Sequence, residues 1–373
     1  MLRFLLGWMA WDLTQSATYV GVIAALMLAP TFILSPIFGI LSDRFNPRYG
    51  LMASMVVHAA ISLAGGVAAM TQQYSFPVLA ALALAMGAVT SGHTPMRLAL
   101  VPLLVARAGL PSAIGLSAMT FNSARIVGPA AGAALISYSN VATAHFAASG
   151  LFLVSLSILL TLTGIGKREV RPSTPFIEQF FAGVAYVRQH AGIRLILTLT
   201  VVNGVLGRTL LELLPAISGQ LINGSAEDLA LLTAGAGLGS IFGGLIVSRQ
   251  RADPPRLFHL LLIALCGGGL AVMTLWWIHT LWQLALVVSV LALTATLAGT
   301  GCQTLTQLTT DEAYRGRVLS FWTVVVMGSP AVGAFCVGVL ADYWGFPLVV
   351  SLVVLLALVV LRRIYQRRHL LLS

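Results

Sequence analysis

Apolar residues run along this chain in long blocks separated by short polar clusters, such as Gln72–Ser75, Asn223–Asp228 and Asp311–Arg317. Blocks of this kind read as membrane-crossing helices, each needing about 20 apolar residues. They predict spans near 19–41, 49–70, 76–100, 114–137, 141–165, 194–221, 229–248, 257–278, 281–306, 318–340 and 345–364, preceded by a shorter run over 1–11. The expected fold is all-α: a polytopic membrane protein of two six-helix bundles related by pseudo-two-fold symmetry, with an incomplete first span. Residues 1–165 form the first bundle, 166–193 a cytoplasmic linker, and 194–373 the second bundle with a basic tail. Within the linker, Phe176, Ile177, Phe180, Phe181, Val184 and Val187 repeat with helical spacing, which predicts a helix along the membrane surface.

Composition agrees. Of 373 residues, 58% are hydrophobic and 9% charged, with a mean hydropathy of +0.94. A soluble domain carries roughly 25% charged residues, so an ordinary cytosolic enzyme and a disordered chain are both excluded. The net charge of +10 would otherwise suggest a nucleic-acid partner, but its distribution gives another account. Of the 21 basic residues, 17 fall in alternate loops: Arg44 and Arg48; Arg107; Lys167, Arg168, Arg171, Arg188 and Arg194; Arg249, Arg251 and Arg256; Arg315 and Arg317; and Arg362, Arg363, Arg367 and Arg368. The intervening loops hold none. Short cytoplasmic loops retain positive charge, so the basic loops and the C-terminus are expected inside, in a cell (inner) membrane. Lipids are partners at that surface, and nucleic acid is not needed.

Candidate chemistry is sparse. Cys266, Cys302 and Cys336 stand singly, without the pairing of a disulfide framework or a zinc site. No phosphate-binding G-x-x-x-x-G-K-[ST] loop or H-E-x-x-H metal motif is present. No cofactor, metal or catalytic group is expected.

The two halves resemble each other. Gly128-Pro129-Ala130-Ala131-Gly132 is echoed by Ser329-Pro330-Ala331-Val332-Gly333, and Ser35-Pro36-Ile37-Phe38-Gly39 by Ser240-Ile241-Phe242-Gly243-Gly244. Duplicated bundles of this kind occur in secondary transporters, which bind substrate between the halves.

The stretch Gly39-Ile40-Leu41-Ser42-Asp43-Arg44-Phe45-Asn46-Pro47-Arg48, between the second and third spans, resembles the G-x-L-x-D-R-x-x-R-R motif of the major facilitator superfamily. Pro95–Pro102, Ala124–Pro129 and Tyr314–Leu319 resemble the branch that holds enterobactin and macrolide exporters, so the similarity covers nearly the whole chain. The resemblance implies alternating access. It also implies a conformational latch at Gly39, Asp43, Arg44 and Arg48, and a hinge or sealing motif at Arg125, Gly128, Pro129 and Gly132. Two departures stand out. The second-half counterpart of the loop motif, Gly244–Arg249, has no acid, and only eleven residues precede Asp12, where the family's first span begins further upstream.

Charges inside spans are the sharper signal, since each costs roughly 2.5–3.5 kcal/mol at a helix centre on insertion scales. Arg208 and Glu212 are four residues apart in the seventh span and so share a helix face. With Asn203 they form the candidate cavity and proton-coupling group. The expected function is proton-coupled efflux of a small amphiphilic molecule, a drug or siderophore, with a proton as coupling ion. Uptake, a membrane enzyme, and a non-transporting protein derived from a transporter are the alternatives. Substrate and oligomeric state are not written in the sequence.

Overall fold

In the computed structural model, residues 1–44, 46–105, 110–162, 184–250, 253–311 and 314–368 are described. The chain folds into α1 (Leu2–Thr14), α2 (Ala17–Arg44), α3 (Pro47–Met70), α4 (Phe76–Leu100), α5 (Leu110–Tyr138), α6 (Val141–Thr161), α7 (Ala191–Asn203), α8 (Thr209–Glu212), α9 (Leu214–Ile222), α10 (Ala226–Ser248), α11 (Pro254–Met273), α12 (Leu281–Thr309), α13 (Arg315–Trp344) and α14 (Phe346–Gln366). Gly204–Arg208 winds as a π-helix, so α7, this turn, α8 and α9 together make the seventh span. Among the described residues, nine helical stretches are long and apolar enough to cross a membrane. The described apolar parts of α2 and α5, Ala17–Thr31 and Ile126–Tyr138, are shorter, although the helices themselves run for 28 and 29 residues.

Capping explains where the spans start and stop. Asn140 accepts a hydrogen bond from the Thr143 N–H at 2.9 Å and starts α6. Ser225 with Asp228 and Thr280 with Gln283 form reciprocal capping boxes on α10 and α12. Gly345, at φ 75°, turns the chain from α13 into α14. These caps cluster at one end of the bundle, opposite the end that carries Arg48 and Arg194; the two are called here the outer and basic ends.

The packing repeats itself between halves. Helix α2 lies against α4 as α10 lies against α12, α3 against α6 as α11 against α14, and α3 against α4 as α11 against α12. The two broadest contacts between the halves are α2 with α13 and α5 with α10, and α9 also meets α1 and α2. The first two exchange into one another under the same pairing of first and second half, as a pseudo-two-fold axis requires. The largest apolar core links both halves at the outer end, drawing on Leu5, Leu6 and Ile23 from one and Leu213, Leu229 and Phe346 from the other.

The predicted linker helix falls mostly on 163–183, outside the described residues; 184–189 is helical. There Tyr186 donates to Asp311 at 2.8 Å and stacks on Tyr314, which ties the segment to the basic end of α12 and α13.

Candidate functional site

The seventh span is where the helix departs from regularity. A π-turn inserts one residue into the ladder, and such turns often mark functional sites. Here the turn is matched by its neighbour: a β-carbon at Gly204 would overlap the Ser329 hydroxyl, and one at Gly333 would overlap the Thr209 hydroxyl. The two residues flank Pro330 of α13, so the irregular turn and the proline-bearing helix fit together through missing side chains.

Beside this turn is a cavity of about 220 Å³. The seventh span contributes Thr200, Asn203, Arg208 and Glu212; α12 contributes Thr296, Thr300 and Gln303; Ser240 of α10 and Trp322 of α13 complete the polar lining. Along α12 and α13 these residues lie in the half nearer the basic end, and Glu212 is nearest the outer end. Polar side chains at this depth are costly unless they face a cavity or a partner, and nine of them converge on one space.

Arg208, Glu212 and Asn203, singled out from sequence, therefore line a single cavity. Glu212 also has a partner that sequence reasoning missed: it is ion-paired with Arg3 of α1, in the opposite half. The Glu212 side chain is 14% exposed and that of Arg3 47%. Asn203 is buried, with its Oδ1 lacking a hydrogen-bond partner, and the Trp322 indole N–H is likewise buried and unsatisfied. Among the described residues no cluster of three or more His, Cys, Asp or Glu could hold a metal.

The other predicted groups separate. Arg48 donates to the carbonyls of Leu159 and Leu160 at 3.0 and 2.9 Å, closing the C-terminus of α6 within its own half. The side chains of Asp43, Arg44 and Arg125 lie outside the described set, as does Gly39. Pro129 and Gly132 are buried. A β-carbon at Gly132 would come 3.1 Å from the Phe4 ring, and one at Gly128 would come 2.7 Å from the Met1 backbone nitrogen. The small face of α5 thus receives α1, much as α13 receives the seventh span.

At the outer end the two halves are in close contact. A β-carbon at Gly219 of α9 would fall within the Trp11 ring of α1. On the adjoining seam, a β-carbon at Gly21 would overlap the Ala334 carbonyl, and one at Gly338 the Ala17 carbonyl. Backbone meets backbone between α2 and α13, a small-residue packing typical of membrane helices.

Comparison with known proteins agrees with this architecture. Residues 3–369 match the family described as transmembrane secretion effector. The chain is 29% identical over 372 residues to the enterobactin exporter EntS of Salmonella paratyphi A, covering 95% of this chain and 87% of that protein. It is 26% identical over 239 residues to macrolide efflux protein A of Streptococcus pyogenes, covering 63% and 58%. Among solved structures, a bacterial homologue of the human lysosomal transporter Spinster, inward-facing and unoccupied, superposes with a TM-score of 0.71 at 14% identity, covering 99% of this chain and 94% of the other. The nucleoside transporter NupG superposes with a TM-score of 0.75 at 10% identity, covering 98% and 96%. A multi-pass membrane protein with paired helical bundles, matched along nearly its whole length, the chain belongs to the transmembrane secretion effector family of major facilitator transporters.

Proposed function

We propose that the protein exports a small amphiphilic molecule in exchange for protons, by alternating exposure of the cavity beside the π-turn. One observation carries this reading: the Arg3–Glu212 ion pair joins the two halves at the cavity wall. A carboxylate in that position is held by the cation facing it. Protonation removes the charge and with it the attraction to Arg3, leaving α1 free to part from the seventh span. Protonation of Glu212 from one side and loss of that proton to the other, with the pair to Arg3 re-formed, would then alternate with the two orientations of the halves, while Arg208, Asn203, Gln303 and Trp322 contact the substrate. The efflux relatives, an enterobactin exporter and a macrolide efflux protein, support export and an amphiphilic cargo.

In this reading the basic end faces the cytoplasm of a cell whose inner membrane holds the protein, as the arginine distribution favours. The bundles divide at residues 166–193. The Gly39–Arg48 stretch latches the basic end when the cavity faces outward, and Arg125–Gly132 seals α5 against α1.

Proteoliposomes loaded with a catecholate siderophore or a macrolide, with a pH dye inside, test the proposal. Substrate should move only when a pH gradient is imposed, with protons moving in the opposite direction. Glu212→Gln should lose gradient-driven movement yet keep substrate binding. Full transport by that variant would remove Glu212 from the coupling role.

A further inference from the structure

The seam between α2 and α13 ends in an acid that no loop role explains. Asp342 lies in the last turn of α13. Its Oδ1 accepts from the Ala17 N–H at 2.7 Å, and its Oδ2 accepts from the Thr18 N–H at 2.9 Å and the Ser16 hydroxyl at 2.5 Å. The Gln220 side-chain amide of α9 reaches Oδ1 at 3.5 Å. Ala17 and Thr18 are the first two residues of α2, and N–H groups at that position have no acceptor within their own helix.

The placement runs against local preference. A carboxylate in the last turn of a helix is disfavoured by that helix's own dipole, whereas one at a helix N-terminus is favoured. Asp342 therefore gains from α2, in the other half, and not from α13. The two helices pack antiparallel. Asp43 occupies the last turn of α2, at the end where α13 begins.

We infer that Asp342 is the clamp of the outer gate: it caps α2 while the cavity is closed to the outer side, and lets go when the halves part there. Two halves rocking about a midplane site close one end as the other opens, so the Asp342 cap would be made and broken once in each cycle. The inference rests on alternating access, but it concerns the gate and not the cargo or the coupling ion.

The test reads gate opening without transport. Val20, one turn into α2, is 1% exposed. It is replaced by cysteine in the full chain, with Cys266, Cys302 and Cys336 changed to alanine, and the rate of modification by a maleimide is measured in nanodiscs. That rate follows the fraction of time the gate is open. Asp342→Asn should raise it about two- to fivefold, the span expected for a charge at a helix terminus, and Ser16→Ala should raise it in the same direction. A control cysteine at Ile196, fully buried in the second half, should react at an unchanged rate in both variants. Unchanged reactivity at Val20 would overturn the clamp. So would equal acceleration at Val20 and Ile196, which would mean general loosening of the fold.

Discussion

Arg3 of α1 and Glu212 of α8 are 209 residues apart in sequence and ion-paired in the fold, one from each half, at the edge of the polar cavity. Removing Arg3 leaves the largely buried Glu212 carboxylate without its partner, whereas removing Glu212 leaves a half-exposed guanidinium, so the first change should cost more. Arg3→Ala and Glu212→Ala should each lower the thermal midpoint in detergent. The double variant carrying both alanines should lose less than the sum of the two, with a coupling energy of about 0.5–3 kcal/mol in a double-mutant cycle. Strict additivity of the two single changes would mean that the contact carries no energy.

The α2–α13 seam predicts a contrast between two glycines. At Gly21 a methyl group would meet the Ala334 carbonyl, which belongs to a backbone that cannot step aside, whereas at Gly244 it would meet nothing within 4 Å. Gly21→Ala should destabilise the folded protein by about 1–3 kcal/mol through overpacking. Gly244→Ala should be neutral or stabilising by up to about 1 kcal/mol, because alanine is the better helix former. Thermal unfolding of the two variants side by side checks both signs.

Arg48 holds two carbonyls at the end of α6 with two different nitrogens of one guanidinium. Lysine offers a single ammonium and cannot reproduce that fork. Arg48→Lys should therefore behave like Arg48→Ala. Both should speed amide exchange over the last turn of α6 by about tenfold, equivalent to losing about 1.4 kcal/mol, close to the lower end of the range for hydrogen bonds involving a charged group. Protection of the lysine variant equal to the parent would show that charge alone suffices.

The unsatisfied Oδ1 of Asn203 makes a separate prediction. Because the atom has no protein partner, replacing Asn203 with leucine removes no internal hydrogen bond through it, and the thermal midpoint should change little. If substrate supplies the missing donor, binding should weaken about tenfold, the worth of one well-placed hydrogen bond. Unaltered binding, measured by titration of the purified variant, would leave Asn203 as packing.

Much of this was legible from residue order. The length of the apolar blocks places the helices, because a bilayer tolerates few other backbones. The echo of Pro129 in Pro330 reveals the duplication. Arg208, Glu212 and Asn203 stand out because polar side chains are rare inside spans, and they do line one cavity. Arg3 does not stand out: a cation three residues into a short apolar run looks like the flank of a span, and only the fold carries it across to Glu212. Thr200, Thr296 and Thr300 are silent for another reason. A threonine in an apolar helix can satisfy its hydroxyl on its own backbone, as Thr200 does on Ile196 at 2.9 Å, so its type says nothing about which way it faces. Asp342 looks like a loop residue until α2 is placed beside it. The π-turn at Gly204–Arg208 has no signature in periodicity, since one extra residue barely shifts an apolar pattern this dense.

The abutting backbones at Gly21 and Gly338 matter even to a molecule with no cargo aboard. Every cell that maintains an electrochemical gradient is drained by any thread of water that crosses its membrane. At these two points the polypeptide backbones meet with no room for a water molecule between them, so along this seam at least no such thread can pass.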